Sequence, residues 1–136
     1  MTDNTVMTAG AAAGTGIEVR LEQLRRVFAG VVALDELSLT LAPGELVALL
    51  GPSGCGKTTA LRLVAGLDEA TSGRVLFGGA DVTDLGANRR NVGMVFQAYS
   101  LFPHMTAIDN VAFGLQMRKV AESERRRRAG EMLELV

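Results

Sequence analysis

Strict alternation of apolar and polar positions opens the ordered part of the chain: Ile17, Val19 and Leu21 alternate with Glu18, Arg20 and Glu22, which predicts a half-buried strand. Leu37, Leu39 and Leu41 repeat the pattern, and Pro43-Gly44 marks a turn. The run Leu46 to Leu50 is continuously apolar, as expected of a short strand covered on both faces, and it leads straight into Gly51. Beyond it, Leu61, Val64 and Ala65 recur at helical spacing from Thr58, with Gly66 as the stop. A short strand, Val75 to Phe77, follows Ser72-Gly73, then a polar Gly and Asp segment to Arg90, then an apolar strand, Val92 to Phe96, ending at Gln97. Past Pro103 the period changes: Thr106 with Asp109 has the form of a helix-start box ahead of Val111, Leu115 and Arg118. Ala129, Met132, Leu133 and Val136 share one face of a last helix. No glycine, asparagine or proline closes that helix, so the chain is expected to be truncated within it.

Composition narrows the class. A chain of 136 residues with 48% hydrophobic positions suits one folded domain rather than disorder. Fourteen basic and fifteen acidic residues nearly cancel, so no global field draws the protein to nucleic acid or anionic lipid. The single cysteine, Cys55, permits no internal disulfide, which points to a reducing compartment such as the cytosol. No apolar stretch reaches the roughly 18 residues of a membrane span. Residues 1–16, rich in Ala, Gly and Thr, lack the basic start of a signal peptide and read as a flexible tail.

The chemistry concentrates where the apolar strand meets the first helix. Gly51-Pro52-Ser53-Gly54-Cys55-Gly56-Lys57-Thr58 fits G-x-x-x-x-G-K-[ST], the Walker A phosphate loop. Its glycines let the backbone turn tightly enough to aim several N–H groups at one anion. Lys57 is expected to place its ammonium on the β- and γ-phosphates of ATP, Thr58 to offer its hydroxyl to Mg²⁺, and Thr59 to add a phosphate contact. The helix N-terminus supplies partial positive charge. Cys55 occupies a free position of the loop: either a filler, or a thiol made reactive by the helix start.

A phosphate loop alone admits kinases, GTPases and many ATPases, and the surrounding residues choose among them. Gly51 to Thr59, Arg89-Arg-Asn-Val-Gly-Met-Val-Phe-Gln97 and Leu101-Phe-Pro-His-Met-Thr106 together resemble the ATP-binding subunits of bacterial ABC importers, nearest to those for polyamines, ferric iron or phosphonates. The likeness runs from about Ile17 to Val136. It implies an α/β P-loop NTPase core of ABC type, with an antiparallel front β-sheet and the start of a helical subdomain: a partial ATP-binding core over 17–98 and an incomplete helical part over 99–136. It implies an ATPase that couples ATP binding and hydrolysis to solute import, peripheral to the cytoplasmic face of the bacterial inner membrane. Its partners would be transmembrane permease subunits and a second ATP-binding subunit. By the resemblance, Gln97 positions Mg²⁺ and the attacking water, Tyr99 to His104 meets the coupling helix of the permease, and Phe28 stacks on adenine. An exposed loop competes with the second of these readings, and a core phenylalanine with the third.

Other segments imitate function. Val31-Val-Ala-Leu-Asp-Glu36 looks like a Walker B strand but precedes the phosphate loop, where the family has a front-sheet strand with Asp35 and Glu36 exposed. No Walker B carboxylates and no Leu-Ser-Gly-Gly-Gln signature follow Thr58 within these 136 residues, and His104 stands too early to be the family's switch histidine. The chain by itself is therefore expected to bind Mg·ATP without steady hydrolysis. Arg125 to Arg128, between Glu124 and Glu131 on a helix, reads as a solvated face rather than a nucleic-acid patch. A non-hydrolysing nucleotide-binding fragment and a P-loop kinase are the competing classes.

Overall fold

The computed structural model describes residues 6–9, 16–98 and 101–136. The chain divides into two compact units, 1–94 and 95–136.

In the first unit, strand β1 (Val6–Ala9) pairs antiparallel with β4 (Leu46–Leu49), while β2 (Val19–Phe28), β3 (Val31–Leu41), β5 (Ser72–Phe77) and β6 (Ala80–Asp81) form an antiparallel sheet in the order β3-β2-β5-β6. Helix α1 (Lys57–Ala65) follows β4, and the short α2 (Ala87–Arg90) lies in the polar segment after β6. The alternation is seen from Val19 on β2 and at Leu37, Leu39 and Leu41 on β3, where Leu21 pairs with Leu39, but Ile17 precedes β2 and is 58% exposed. Ala29 and Gly30, with φ 45° and 85°, close the β2–β3 hairpin; two positive φ values give the twist a two-residue turn needs.

The β2–β3 pair is not a plain ladder. Arg26 pairs with Leu34 and Val27 with Val32, so Ala33 is an extra residue on β3, a β-bulge. Val31 to Glu36 thus belongs to a front-sheet strand, with Asp35 and Glu36 exposed. The core beneath is Leu21, Leu24, Leu34, Ala60, Leu63, Val75 and Val82, so the sheet and one face of α1 share a single apolar layer.

Arg90 fixes the far end of α1. It is 6% exposed; Nη1 donates to the Leu63 carbonyl and, at 3.0 Å, to that of Val64, Nε donates to Leu85 O at 2.7 Å, and Nη2 to Thr83 O at 2.6 Å. Burial pushes this guanidinium down from its usual pKa, while Asp81 and Asp84 pull it back up. A cation on the last carbonyls of a helix satisfies orphan acceptors and opposes the dipole. Gly66 makes room for it: at φ +72° it caps α1, and a Cβ there would meet Arg90 Nε at 2.7 Å.

The second unit packs α3 (Ala107–Met117) with α4 (Glu122–Leu133), burying Ala112 and Ala129. Thr106 caps α3 as the sequence predicts, its hydroxyl accepting from Asp109 N at 3.3 Å. On α4, Arg126 pairs with Glu122 at 3.2 Å, Arg128 with Glu124 at 2.6 Å, and Arg127 with Glu124 and Glu131, so these arginines lie on a paired, exposed face.

Four expectations are corrected. Within the expected tail, residues 1–5 and 10–15 lie outside the described residues, but Val6–Ala9 form β1 because the β4 edge offers unpaired backbone groups. The β4 run is not covered on both faces: Leu46 and Leu50 are 74% and 47% exposed while Val47 and Leu49 turn inward, because the core packs against one face only. Val92 to Phe96 is not a strand; no strand lies beside it among the described residues to take its backbone hydrogen bonds, and Val95 is fully exposed. The face read on the last helix is only partly buried: Ala129 is buried and Leu133 half-buried, whereas Met132 is 53% exposed and Val136, past Leu133, is fully exposed.

Candidate functional site: the phosphate loop

Gly51 to Gly56 bridge β4 and α1 without regular structure. Gly54 and Gly56 take φ +81° and +93°, so two of the loop's glycines stand where side chains are strained. Gly56 is also the N-cap of α1. It offers no side chain to the first-turn amides, and that turn holds no acidic residue. The first-turn N–H groups and the positive end of the helix dipole are thus left to whatever anion enters the loop.

Lys57 spans the loop mouth. Its Nζ donates to Gly51 O at 2.8 Å, Pro52 O at 2.6 Å and Cys55 Sγ at 3.3 Å, so the ammonium stands over the loop that a phosphate would enter. Gly51, Pro52, Ser53 and Gly54 are exposed, as is Thr58, whereas Cys55, Lys57 and Thr59 are half-buried. An open rim of backbone, a cation and a hydroxyl on the first helical turn fit a nucleotide's phosphate tail. Thr58 is the one first-turn hydroxyl exposed to hold a phosphate-bound Mg²⁺, and the described residues include no group of three or more His, Cys, Asp or Glu side chains gathered for a metal.

Phe28 ends β2 and is 40% exposed, with the guanidinium carbon of Arg26 4.3 Å from its ring centroid. The hairpin brings it toward the loop. Phe28 pairs with Val31, two residues before Ala33, and the Ala33 carbonyl lies against Gly56. At ordinary strand rise and spacing, Ala33 to Phe28 is roughly 8 Å. Loop and aromatic therefore lie within one nucleotide's length.

Gln97 is exposed in a bend of the second unit. Of Tyr99 to His104, Tyr99 and Ser100 lie outside the described residues; Leu101 to His104 are exposed, with the Phe102 and Phe113 rings 4.5 Å apart. Asn110, which the sequence reading passed over, fastens this loop. Its Oδ1 accepts from Phe102 N at 2.8 Å, and its Nδ2 donates to the carbonyls of Phe102, Met105 and Thr106 at 3.0 to 3.2 Å. The available signal was an amide one turn after a helix cap, in reach of the loop's carbonyls.

The Fe(3+) ions import ATP-binding protein FbpC of Rhizobium etli is 58% identical over 118 residues, covering 87% of this chain and 33% of the relative. The spermidine/putrescine import ATP-binding protein PotA of Acidothermus cellulolyticus is 52% identical over 122 residues, covering 87% and 32%. The chain thus spans about a third of the length of the curated relatives it matches. Among solved structures, the dimeric bacterial ABC transporter cassette MJ0796 superposes with a TM-score of 0.69 at 28% identity, over 85% of this chain and 56% of that one. A post-hydrolysis state of the same cassette, bound to ADP and Pi, gives 0.67. The family model described as ABC transporter matches residues 34–136, and with the loop geometry above this establishes that the chain belongs to the ABC transporter family.

Proposed function

We propose that the chain is the phosphate-binding part of an ATP-binding subunit that powers solute import. The single observation that supports it best is the Lys57 ammonium over the loop, above a helix start bare of caps and acids. The loop amides from Gly54 to Thr59 would receive the β- and γ-phosphates, Lys57 would neutralise them, and Thr58 would hold Mg²⁺. The metal, when bound, would supply positive charge that offsets the negative charge of the phosphates. Phe28 would take the adenine ring.

In the whole subunit this binding would drive hydrolysis and transport, at the cytoplasmic face of the bacterial inner membrane, in a dimer of ATP-binding subunits docked on permease subunits through the loop 99–104. The names of the relatives support iron or polyamine as solute classes. The 136 residues alone would bind Mg·ATP without turning it over, since water activation needs a Walker B carboxylate and no such motif follows the loop within these residues. Calorimetric titration of the chain with Mg·ATP should give a saturable heat that Lys57→Ala removes. A wild-type chain that is folded by circular dichroism yet gives no heat at millimolar Mg·ATP would sink the proposal. Steady phosphate release that Lys57→Ala abolishes would overturn the hydrolysis part alone.

A further inference from the structure

The geometry points to Arg26 as a positioning residue for the nucleobase, acting through Phe28; this rests on the adenine-stacking role proposed above for Phe28. The guanidinium carbon of Arg26 lies 4.3 Å from the Phe28 ring centroid, a cation–π contact that covers that face of the ring. Phe28 nevertheless remains 40% exposed, so ring surface is left for a second planar group. A ring backed by a cation on one face can accept one base on the other.

Arg26 is itself held from behind. Its side chain is 21% exposed and its Nε is buried without a hydrogen-bond partner, so the aromatic face and a distant carboxylate, rather than a fork of hydrogen bonds, set the plane of the group. That carboxylate is Asp68, whose Oδ1 lies 3.8 Å from Arg26 Nη2 and whose Oδ2 accepts from Arg62 Nε at 2.7 Å. Arg62 lies on α1, the helix that starts at Lys57. A chain of contacts therefore runs from the helix under the phosphates, through Arg62, Asp68 and Arg26, to the aromatic ring. It fixes the ring's plane relative to the phosphate loop, which is what lets one nucleotide engage both.

Loss of Arg26 should therefore weaken ligands that carry a base and spare those that carry only phosphates. The test measures dissociation constants of the full chain for Mg·ATP and for Mg·tripolyphosphate in wild type, Arg26→Ala, Arg26→Lys and Phe28→Ala. Arg26→Ala is expected to weaken ATP about twofold to fivefold, the range of an exposed cation–π contact, and to leave tripolyphosphate unchanged. Arg26→Lys, a cation without a planar fork, is expected to recover part of the loss. Phe28→Ala should cost ATP about fivefold or more, as loss of base stacking does, again sparing tripolyphosphate. The sequence contains no tryptophan, so Phe28→Trp adds a lone reporter. Its emission should change on adding ATP but not tripolyphosphate, and less so when Arg26→Ala is combined with it.

The outcomes separate the two claims. If Phe28→Ala weakens ATP selectively but Arg26→Ala does not, the Arg26 inference is wrong and base stacking stands. If Phe28→Ala leaves the ratio of ATP to tripolyphosphate affinity unchanged, the Phe28 reading fails and Arg26 falls with it. If Arg26→Ala weakens both ligands equally, Arg26 supports the fold rather than the base, and the inference is overturned.

Discussion

The carbonyl oxygen of Ala33 faces Gly56 so closely that a Cβ on Gly56 would lie 2.6 Å from it. Ala33 is the extra residue of the β3 bulge, so a local irregularity in the front sheet sets the clearance under the phosphate loop. Gly56 also sits at φ +93°, where an L side chain is strained by about 1–2 kcal/mol before any clash. Gly56→Ala is expected to push the loop away from β3, lower stability in urea unfolding by at least that strain, and weaken Mg·ATP binding more than tenfold. Unchanged affinity in a folded variant would show that the loop does not depend on this contact.

Arg90 offers a test of what holds the other end of α1. Its four hydrogen bonds go to backbone carbonyls of α1 and of the segment 83–85, all of which would lose a donor. Arg90→Met keeps much of the volume and removes every donor, so unfolding should become easier by about 3 kcal/mol or more, the scale of buried acceptors left unpaired. Arg90→Lys should recover only a fraction, since an ammonium cannot span carbonyls on both segments. A loss below about 1 kcal/mol for Arg90→Met would mean that water replaces the guanidinium.

The hairpin between β2 and β3 holds a removable strain. Ala29 takes φ +45° beside Gly30 at +85°, and alanine gains nothing locally from that conformation, whereas asparagine tolerates it and precedes glycine in the favoured two-residue turn. Ala29→Asn should stabilise the chain by about 0.5–1 kcal/mol, a melting point higher by roughly 2 to 5 °C. Ala29→Val, branched at Cβ, should lower it. The same sign of shift in both variants would contradict the turn geometry.

What could be read without coordinates follows from how local each signal is. Gly51 to Thr58 announces itself because its chemistry is contiguous, and the front strands because period-two alternation survives on a half-buried sheet. The Thr106 cap was legible because a cap and its acceptor are three residues apart. Arg90 was not: it sits in a polar segment that reads as loop, and its partners lie 26 and 27 residues away on another helix. The bulge at Ala33 also left no mark, since an extra residue is defined only against a partner strand. Val92 to Phe96 misled because an apolar run records a preference for burial, and a strand also needs a neighbour to accept its backbone hydrogen bonds.

Acid should loosen the second unit through Glu124. Hydrogen bonds from Arg127 and Arg128 hold its carboxyl at a pKa of about 2, against an ordinary value of 4.5. A carboxyl depressed on folding contributes stability that is fully present above its unfolded pKa and is lost as pH falls through the folded one. The α4 helix should therefore weaken between about pH 4.5 and about pH 2. Glu124 is only half-buried and open to solvent, so the effect shrinks in high salt. Far-UV circular dichroism through an acid titration should show helix loss in that window, smaller in Glu124→Gln, which cannot titrate. A helix signal in Glu124→Gln that falls over the same window and by the same amount as wild type would remove Glu124 as the cause.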